Sequence, residues 1–454
     1  MIAAALGLAL TLWLSSPGRP REALAAAATP TAEIGKLPPD AYRLGRWRNF
    51  LDATFAQNFP HGAMAGARRM LVVLPEIEAQ ETAYSSMIQL AEAGYPGSIR
   101  SLFLNSSLEP TAEGDFGQSF YCFKALANQE SRLTKWADHY FQKVEPDKAD
   151  VYQLYLAVRA YTVHDLPKAR ELLAKLLEGK NGPRNPFFVK QAARTLARIH
   201  FEEKNYEKSL EIYKTFLLKV AEPTASDWLE AAWNLFHLKR YTEALGNLYN
   251  LESAAAGEAI YLEKYILRGL IYHSLCDRRL VEALLRGFEA EFDRPLQAIR
   301  SGETLSRYPS LYRIVSPRNQ RFSDLVQTLI GLKRELMRIR ELPYNSQPLA
   351  GYVYRAEIAL TEDKLRTIET PALDEAAEAL MLAHEGIRFL GFEIAKSRYD
   401  PDKIFREDLP RGALEPLVEP DGVGTYRIIW RQPGDYWRDE RPLFTAEVRS
   451  QCGN

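Results

Sequence analysis

The sequence predicts an all-α protein, a row of repeated helical pairs closed by a helical cap and a small β-hairpin tail. Three observations carry that reading. Small residues recur twelve positions apart in windows offset by 35 to 40 residues, with the larger Val281 as the one exception, apolar residues beyond position 321 alternate spacings of three and four, and the last forty residues turn to β-branched and aromatic types around turn chemistry.

Four windows define the repeat. Leu156, Ala157 and Ala160 are followed by Leu166, Ala169 and Leu173; Leu196, Ala197 and His200 by Tyr206, Ser209 and Tyr213; Ala231, Ala232 and Leu235 by Tyr241, Ala244 and Leu248; Gly269 and Tyr272 by Val281 and Leu285. Two helices cross closely only where side chains are small, and a large residue beside each small one fills the remaining gap. A proline stands fourteen residues past the second small position at Pro183, Pro223 and Pro295, where it is expected to end the second helix; the third window has Glu258 there. The layout resembles the tetratricopeptide repeat, a helix-turn-helix unit with a period of ~34 residues. That resemblance implies a helical solenoid over 150–300, in which the turn-rich insertion Gly182-Pro183-Arg184-Asn185-Pro186 absorbs the longer step between the first two windows. Degenerate units are expected in 42–149, where Ala125 and Ala137 are again twelve apart and Phe141 follows four further on.

Ile2 to Leu14 form an apolar run and Ala23 to Ala28 supply small side chains, so 1–28 reads as a signal peptide and 29–41, with Pro38 and Pro39, as a linker. No Lys or Arg precedes the run, which leaves room for a true start upstream. The rival reading, an uncleaved anchor, needs ~20 apolar residues, and Pro17, Gly18 and Pro20 end this run sooner. The expectation is an exported, periplasmic chain with no stable membrane insertion after cleavage.

After a connector at 301–321, interrupted by Pro309 and Pro317, Phe322, Leu325, Leu329, Leu332, Leu336 and Ile339 form one helical stripe ending before Pro343. Two further helical stretches follow, Leu349 to Ile368 and another with Leu373, Ala376, Leu380, Ala383, Ile387, Leu390 and Ile394 inward, so 322–400 reads as a helical hairpin or three-helix cap over the last repeat. In 401–454, Gly424 to Trp430 and Leu443 to Val448 are expected strands on either side of the turn Gln432-Pro433-Gly434-Asp435. Trp430, the run Gly434 to Glu440 and the closing Arg449-Ser450-Gln451-Cys452 resemble the ending of exported delta-proteobacterial envelope tetratricopeptide proteins, some linked to adventurous gliding motility. This implies a place in a multiprotein envelope or motility complex.

The 58 basic and 59 acidic residues nearly cancel, so no global field favours nucleic acid. Cys122, Cys276 and Cys452 form no CxxC pair, and their odd number leaves at least one unpaired within a monomer. The seven histidines include no i,i+4 pair; His200, His237 and His273 recur about 36 residues apart, which repeat packing explains without a ligand array. Motifs for nucleophilic Ser and for phosphate-binding loops are absent, and the expectation is no catalytic residue, no cofactor and no metal. The competing enzyme reading rests on Gln129-Glu130-Ser131, because lytic transglycosylases use a catalytic glutamate followed by serine; their Gly-Leu-Met-Gln element is missing here. It would make the chain a peptidoglycan-acting or glycan-binding helical solenoid.

The favoured reading is a protein-binding scaffold whose partners are other envelope proteins. In a solenoid the first helices of successive pairs line a concave groove, which places Arg159, Arg194, Asn234 and Arg268 as candidate contacts. Tyr436 and Trp437, with Tyr426, offer a second candidate surface; their other reading is the core of the hairpin.

Overall fold

The computed structural model describes residues 37–95, 100–131, 133–145, 150–178, 186–219, 223–252, 259–398, 427–429 and 444–452. The expected signal peptide, the start of the linker, the turn Gln432 to Asp435 and the aromatics Tyr426, Tyr436 and Trp437 lie outside the described residues. Within them the fold is all-α. Its helices are α1 (Leu44–Ala56), α2 (Pro60–Val73), α3 (Ile77–Glu92), α4 (Arg100–Leu104), α5 (Asp115–Glu130), α6 (Thr134–Phe141), α7 (Asp150–Thr162), α8 (Leu166–Glu178) and α9 (Pro186–Glu202). There follow α10 (Tyr206–Ile212), continued by a π-helical segment at Tyr213–Leu218, then α11 (Ala225–His237), α12 (Tyr241–Asn250), α13 (Glu263–Ser274), α14 (Arg278–Ser301), α15 (Pro309–Arg318), α16 (Gln320–Met337) and α17 (Gln347–Arg398). Strands β1 (Arg427–Ile429) and β2 (Thr445–Glu447) pair antiparallel, with Ile428 opposite Ala446.

The chain forms two compact units, one from 1–79 with 328–364 and one from 80–327 with 365–454. The sequence segments 42–149 and 322–400 therefore each contribute to both.

In the larger unit the pairs α7/α8, α9/α10, α11/α12 and α13/α14 turn in the same way. One non-glycine residue in each turn takes a left-handed conformation: His164 (φ 61°), Lys204 (59°), Lys239 (59°) and Cys276 (55°). The next amide then bonds back across the helix end, Asp165 N to Ala160 O (2.8 Å), Asn205 N to His200 O (2.8 Å), Arg240 N to Leu235 O (2.9 Å) and Asp277 N to Tyr272 O (3.0 Å). This Schellman closure satisfies carbonyls that the first helix leaves open and sends the chain straight into the second. A Cβ in this region costs roughly 1 kcal/mol and a branched one more, so Lys239→Val is expected to lower stability by about 1–2 kcal/mol, and Lys239→Gly to leave it level or slightly higher. Urea titration of both variants checks the pair.

The small positions do what close crossing requires. Ala157, Ala169, Ala197, Ser209, Ala232 and Ala244 are all fully buried. One continuous core joins the pairs from α9 to α14 with the second half of α17, which buries Leu373, Ala376, Leu380, Ala383 and Ile387 against them.

Three prolines bear on where helices begin and end. Ahead of Pro295, where the sequence expects the second helix of its pair to stop, the backbone leaves helical geometry at Phe292 (φ −111°, ψ 15°), and a second helical stretch within α14 runs on to Ser301. Pro309 opens α15 inside the expected connector; at a first helical position its missing N–H is no loss, and Leu311, Ile314 and Val315 are buried behind it. Pro371 interrupts no helix: the two expected stretches are one helix, α17, and Leu365, Ile368, Ala372 and Leu373 on both sides of the proline pack into the same core.

The C-terminal segment is fastened to this unit. Ala446 of β2 is buried, a Cβ at Gly246 of α12 would overlap the Phe444 carbonyl, and the Phe444 ring meets Tyr249 edge-on at 6.0 Å. Gln451 N donates to Leu275 O (2.7 Å), and Cys452 is disulfide-bonded to Cys276 in the turn between α13 and α14. Cys122 is buried, and desolvation pushes its thiol up to about 12.

In the smaller unit the Glu335 carboxylate accepts from the backbone amides of His61 (3.0 Å) and Gly62 (2.7 Å) and from the Tyr354 hydroxyl (2.7 Å). Those amides open α2, so a buried negative group sits on a positive helix end. Gly62 and Gly331 make the approach possible, since a Cβ on either would overlap Tyr354 or the His61 ring. Burial, aided by nearby Arg334, pulls His61 down to about 4 from 6.5. A histidine depressed in the folded state contributes stability that is complete above its unfolded value and is lost as pH falls through 6.5 towards 4. Wild type is thus expected to lose unfolding midpoint faster than His61→Gln between pH 7 and pH 5, as calorimetry would show.

Candidate protein-binding site

Among the first helices of successive pairs, α9 and α11 are tied by two ion pairs and α7 to α9 by a tyrosine–carboxylate hydrogen bond. Arg194 of α9 forks onto Asp227 of α11, Nε to Oδ1 (2.7 Å) and Nη2 to Oδ2 (2.9 Å). Asp227 also closes the capping box that begins α11: its carboxylate accepts from Thr224 N (2.8 Å) while Thr224 Oγ1 accepts from Asp227 N (3.3 Å). Burial alone would raise the Asp227 pKa, but the Arg194 fork and the Thr224 bonds outweigh it and hold the carboxyl below its usual range.

One turn further along α9, Arg198 forks onto Glu230, Nε to Oε2 (2.9 Å) and Nη2 to Oε1 (2.6 Å). Tyr213, in the π-helical segment, donates its hydroxyl to the same carboxylate. Burial keeps the Tyr213 pKa well above normal, so it stays a donor. Tyr161 of α7 donates to Glu202 of α9 (2.5 Å) and extends the row by one pair.

The sequence candidates fall into this network in different ways. Arg159 pairs with Asp138 of α6, Arg194 is the fork just described, and Arg268, almost fully buried, donates to Glu252 past the end of α12 (2.6 Å). Asn234 is buried and donates back to Glu230 O one turn earlier (2.9 Å), leaving its Oδ1 without a partner among the described residues. Arg194 therefore joins the α9–α11 contact, Asn234 is internal to α11, and Arg159 and Arg268 pair outside the row of first helices. Arg198, Glu230, Tyr161 and Glu202 were not singled out from sequence. A signal existed, because base and acid are 33 apart in Arg194–Asp227 and 32 apart in Arg198–Glu230, close to the repeat period.

Chemically, the face presents a preset pattern of partly exposed charges, with Arg198 and Glu230 about a third open. Among the described residues no group of His, Cys, Asp or Glu is arranged to hold a metal ion, and no helix is long and apolar enough to cross a membrane. The side chain of Glu130 lies outside the described residues. Comparison with protein-family models, with curated proteins and with solved structures found no match to this chain.

Proposed function

We propose that this is an exported, periplasmic scaffold of tetratricopeptide type, which binds other envelope proteins along the face formed by α7, α9, α11 and α13. The observation that carries the reading is the identical left-handed turn in four consecutive helical pairs, which gives neighbouring units one geometry and their first helices one shared face. The prearranged ion row on that face suits recognition of a polar, extended partner, since rigid charges give specificity at little ordering cost. The Cys276–Cys452 disulfide supports export, because such bonds persist in oxidising compartments. In this reading the second half of α17 is the cap and β1 with β2 the hairpin tail, and membership of a motility complex remains one form such a scaffold takes.

Affinity capture with the full mature chain from envelope extracts tests the proposal. Gln191→Arg with Thr195→Arg, at half-buried positions on the side of α9 that carries Arg194 and Arg198, should abolish capture of a defined partner set without changing the melting temperature. An unchanged set would move binding to another surface. Release of soluble muropeptides from sacculi, lost on Glu130→Gln, would replace the scaffold with the enzyme reading.

A further inference from the structure

A groove of about 690 Å³ lies between the second helices α8 and α10, over α9, on the side of the pairs away from the ion row. Its floor is apolar, formed by Ala174, Leu177, Leu196, Ile212 and Phe216. Its walls carry Arg170 and Glu171 on α8 and Lys208 and Glu211 on α10.

The same place two pairs later is filled by the protein itself. Counted from the left-handed turn residue, Glu171 and Ala174 are seventh and tenth after His164, and Gly246 and Tyr249 are seventh and tenth after Lys239. Gly246 and Tyr249 are the residues on which the Phe444 carbonyl and ring rest. On the other wall the match ends: Ile212 and Phe216 are eighth and twelfth after Lys204, but their counterparts after Cys276, Leu284 and Phe288, serve a different neighbour, the Phe288 ring facing His384 of α17 at 6.1 Å, and the strand is held on that side by the disulfide to Cys276. The C-terminal strand therefore marks what this kind of groove accepts: an extended backbone with every second side chain turned inward, as Ala446 is.

We infer that the groove between α8 and α10 binds an extended segment of a partner protein, with alternate apolar side chains on the floor and charges of both signs between them. The two grooves differ where the occupants must differ. Ala174 stands where Tyr249 stands and leaves room for a large inward side chain, whereas Glu171 in place of Gly246 keeps the ligand backbone further out and offers it a charge. Lys208 supplies the opposite sign, beside Arg170, which already donates to both oxygens of Glu203, so a strand alternating Phe or Leu with Glu and Lys complements the site.

The probe is a fluorescein-labelled peptide of about twelve residues with that alternation, titrated by fluorescence polarisation into the full mature chain with its disulfide formed; a control peptide has the same composition with the apolar residues grouped. Saturable binding of the alternating peptide alone is expected, weakened about tenfold or more by Ala174→Tyr, which installs the side chain that closes the other groove. Should Ala174→Tyr disturb folding, Ala174→Glu is to give the same loss. Gln191→Arg with Thr195→Arg leaves this binding intact, which separates it from the proposed partner face. Absence of binding, equal binding of the grouped peptide, helical dichroism gained by the bound peptide, or indifference to both Ala174 variants overturns the inference.

Discussion

Asp227→Ala is expected to cost about 3–5 kcal/mol of folding stability, the largest effect of any single truncation of a charged side chain in the repeat region. Two losses coincide. The side chain of Asp227 is 2% exposed and that of Arg194 16%, so removing the carboxylate strands a guanidinium that water reaches poorly. Half of the capping box of α11 goes with it, leaving Thr224 N without its acceptor while Thr224 Oγ1 still accepts from the backbone amide at 227. Asp227→Asn keeps an oxygen for the cap but not the charge, and should fall roughly halfway. Adding Arg194→Met to Asp227→Ala should recover about 1–3 kcal/mol, because the penalty of the orphaned charge disappears with it. Since the folded pKa of Asp227 lies below its unfolded value of 3.8, the contribution is fully present above pH 3.8 and fades as pH falls further. Denaturant titrations of the four proteins at pH 7 and pH 3 would show a wild-type advantage that narrows at the lower pH; a loss under about 1 kcal/mol at pH 7 would mean that the fork adds nothing to the α9–α11 interface.

Much of the helical pairing was legible because it is local. Ala157, Ala169, Ala197 and Ser209 announce close crossings through their size and spacing, and they are buried as that logic requires. Helix ends were harder to read: a proline's effect on the backbone is local, but whether a helix survives one depends on distant packing, which makes one helix, α17, of the two expected stretches on either side of Pro371. The association of 37–79 with 328–364 left no periodic trace. Glu335 reaches the amide of His61 across 274 positions, and what permits it, a glycine on each helix, is indistinguishable in sequence from any other glycine. The candidate site was half legible. Arg194 was singled out as an open recognition residue, yet its partner was already within the chain, one repeat away.

Breaking the Cys276–Cys452 disulfide, by reductant or by Cys452→Ser, is expected to lower stability by about 2–5 kcal/mol and to do so from the C-terminus inward. The bond closes a loop spanning 176 positions, which restricts the unfolded chain strongly, and it is the covalent member of a set of contacts that keep β2 on α12. Without it the strand depends on the Gln451–Leu275 hydrogen bond, burial of Ala446 and the close seat over Gly246. Such a short segment opens by itself, so amide exchange at 445–451 should accelerate before any change in α11 or α13. Gly246→Val offers a route to the same state that leaves both sulfurs in place, because its side chain would occupy the space of the Phe444 carbonyl. If the strand and its disulfide act as one fastening, the two variants will share an exchange pattern and combining them will add little. Additive losses would show instead that the disulfide stabilises through the unfolded chain alone, with β2 held independently of it.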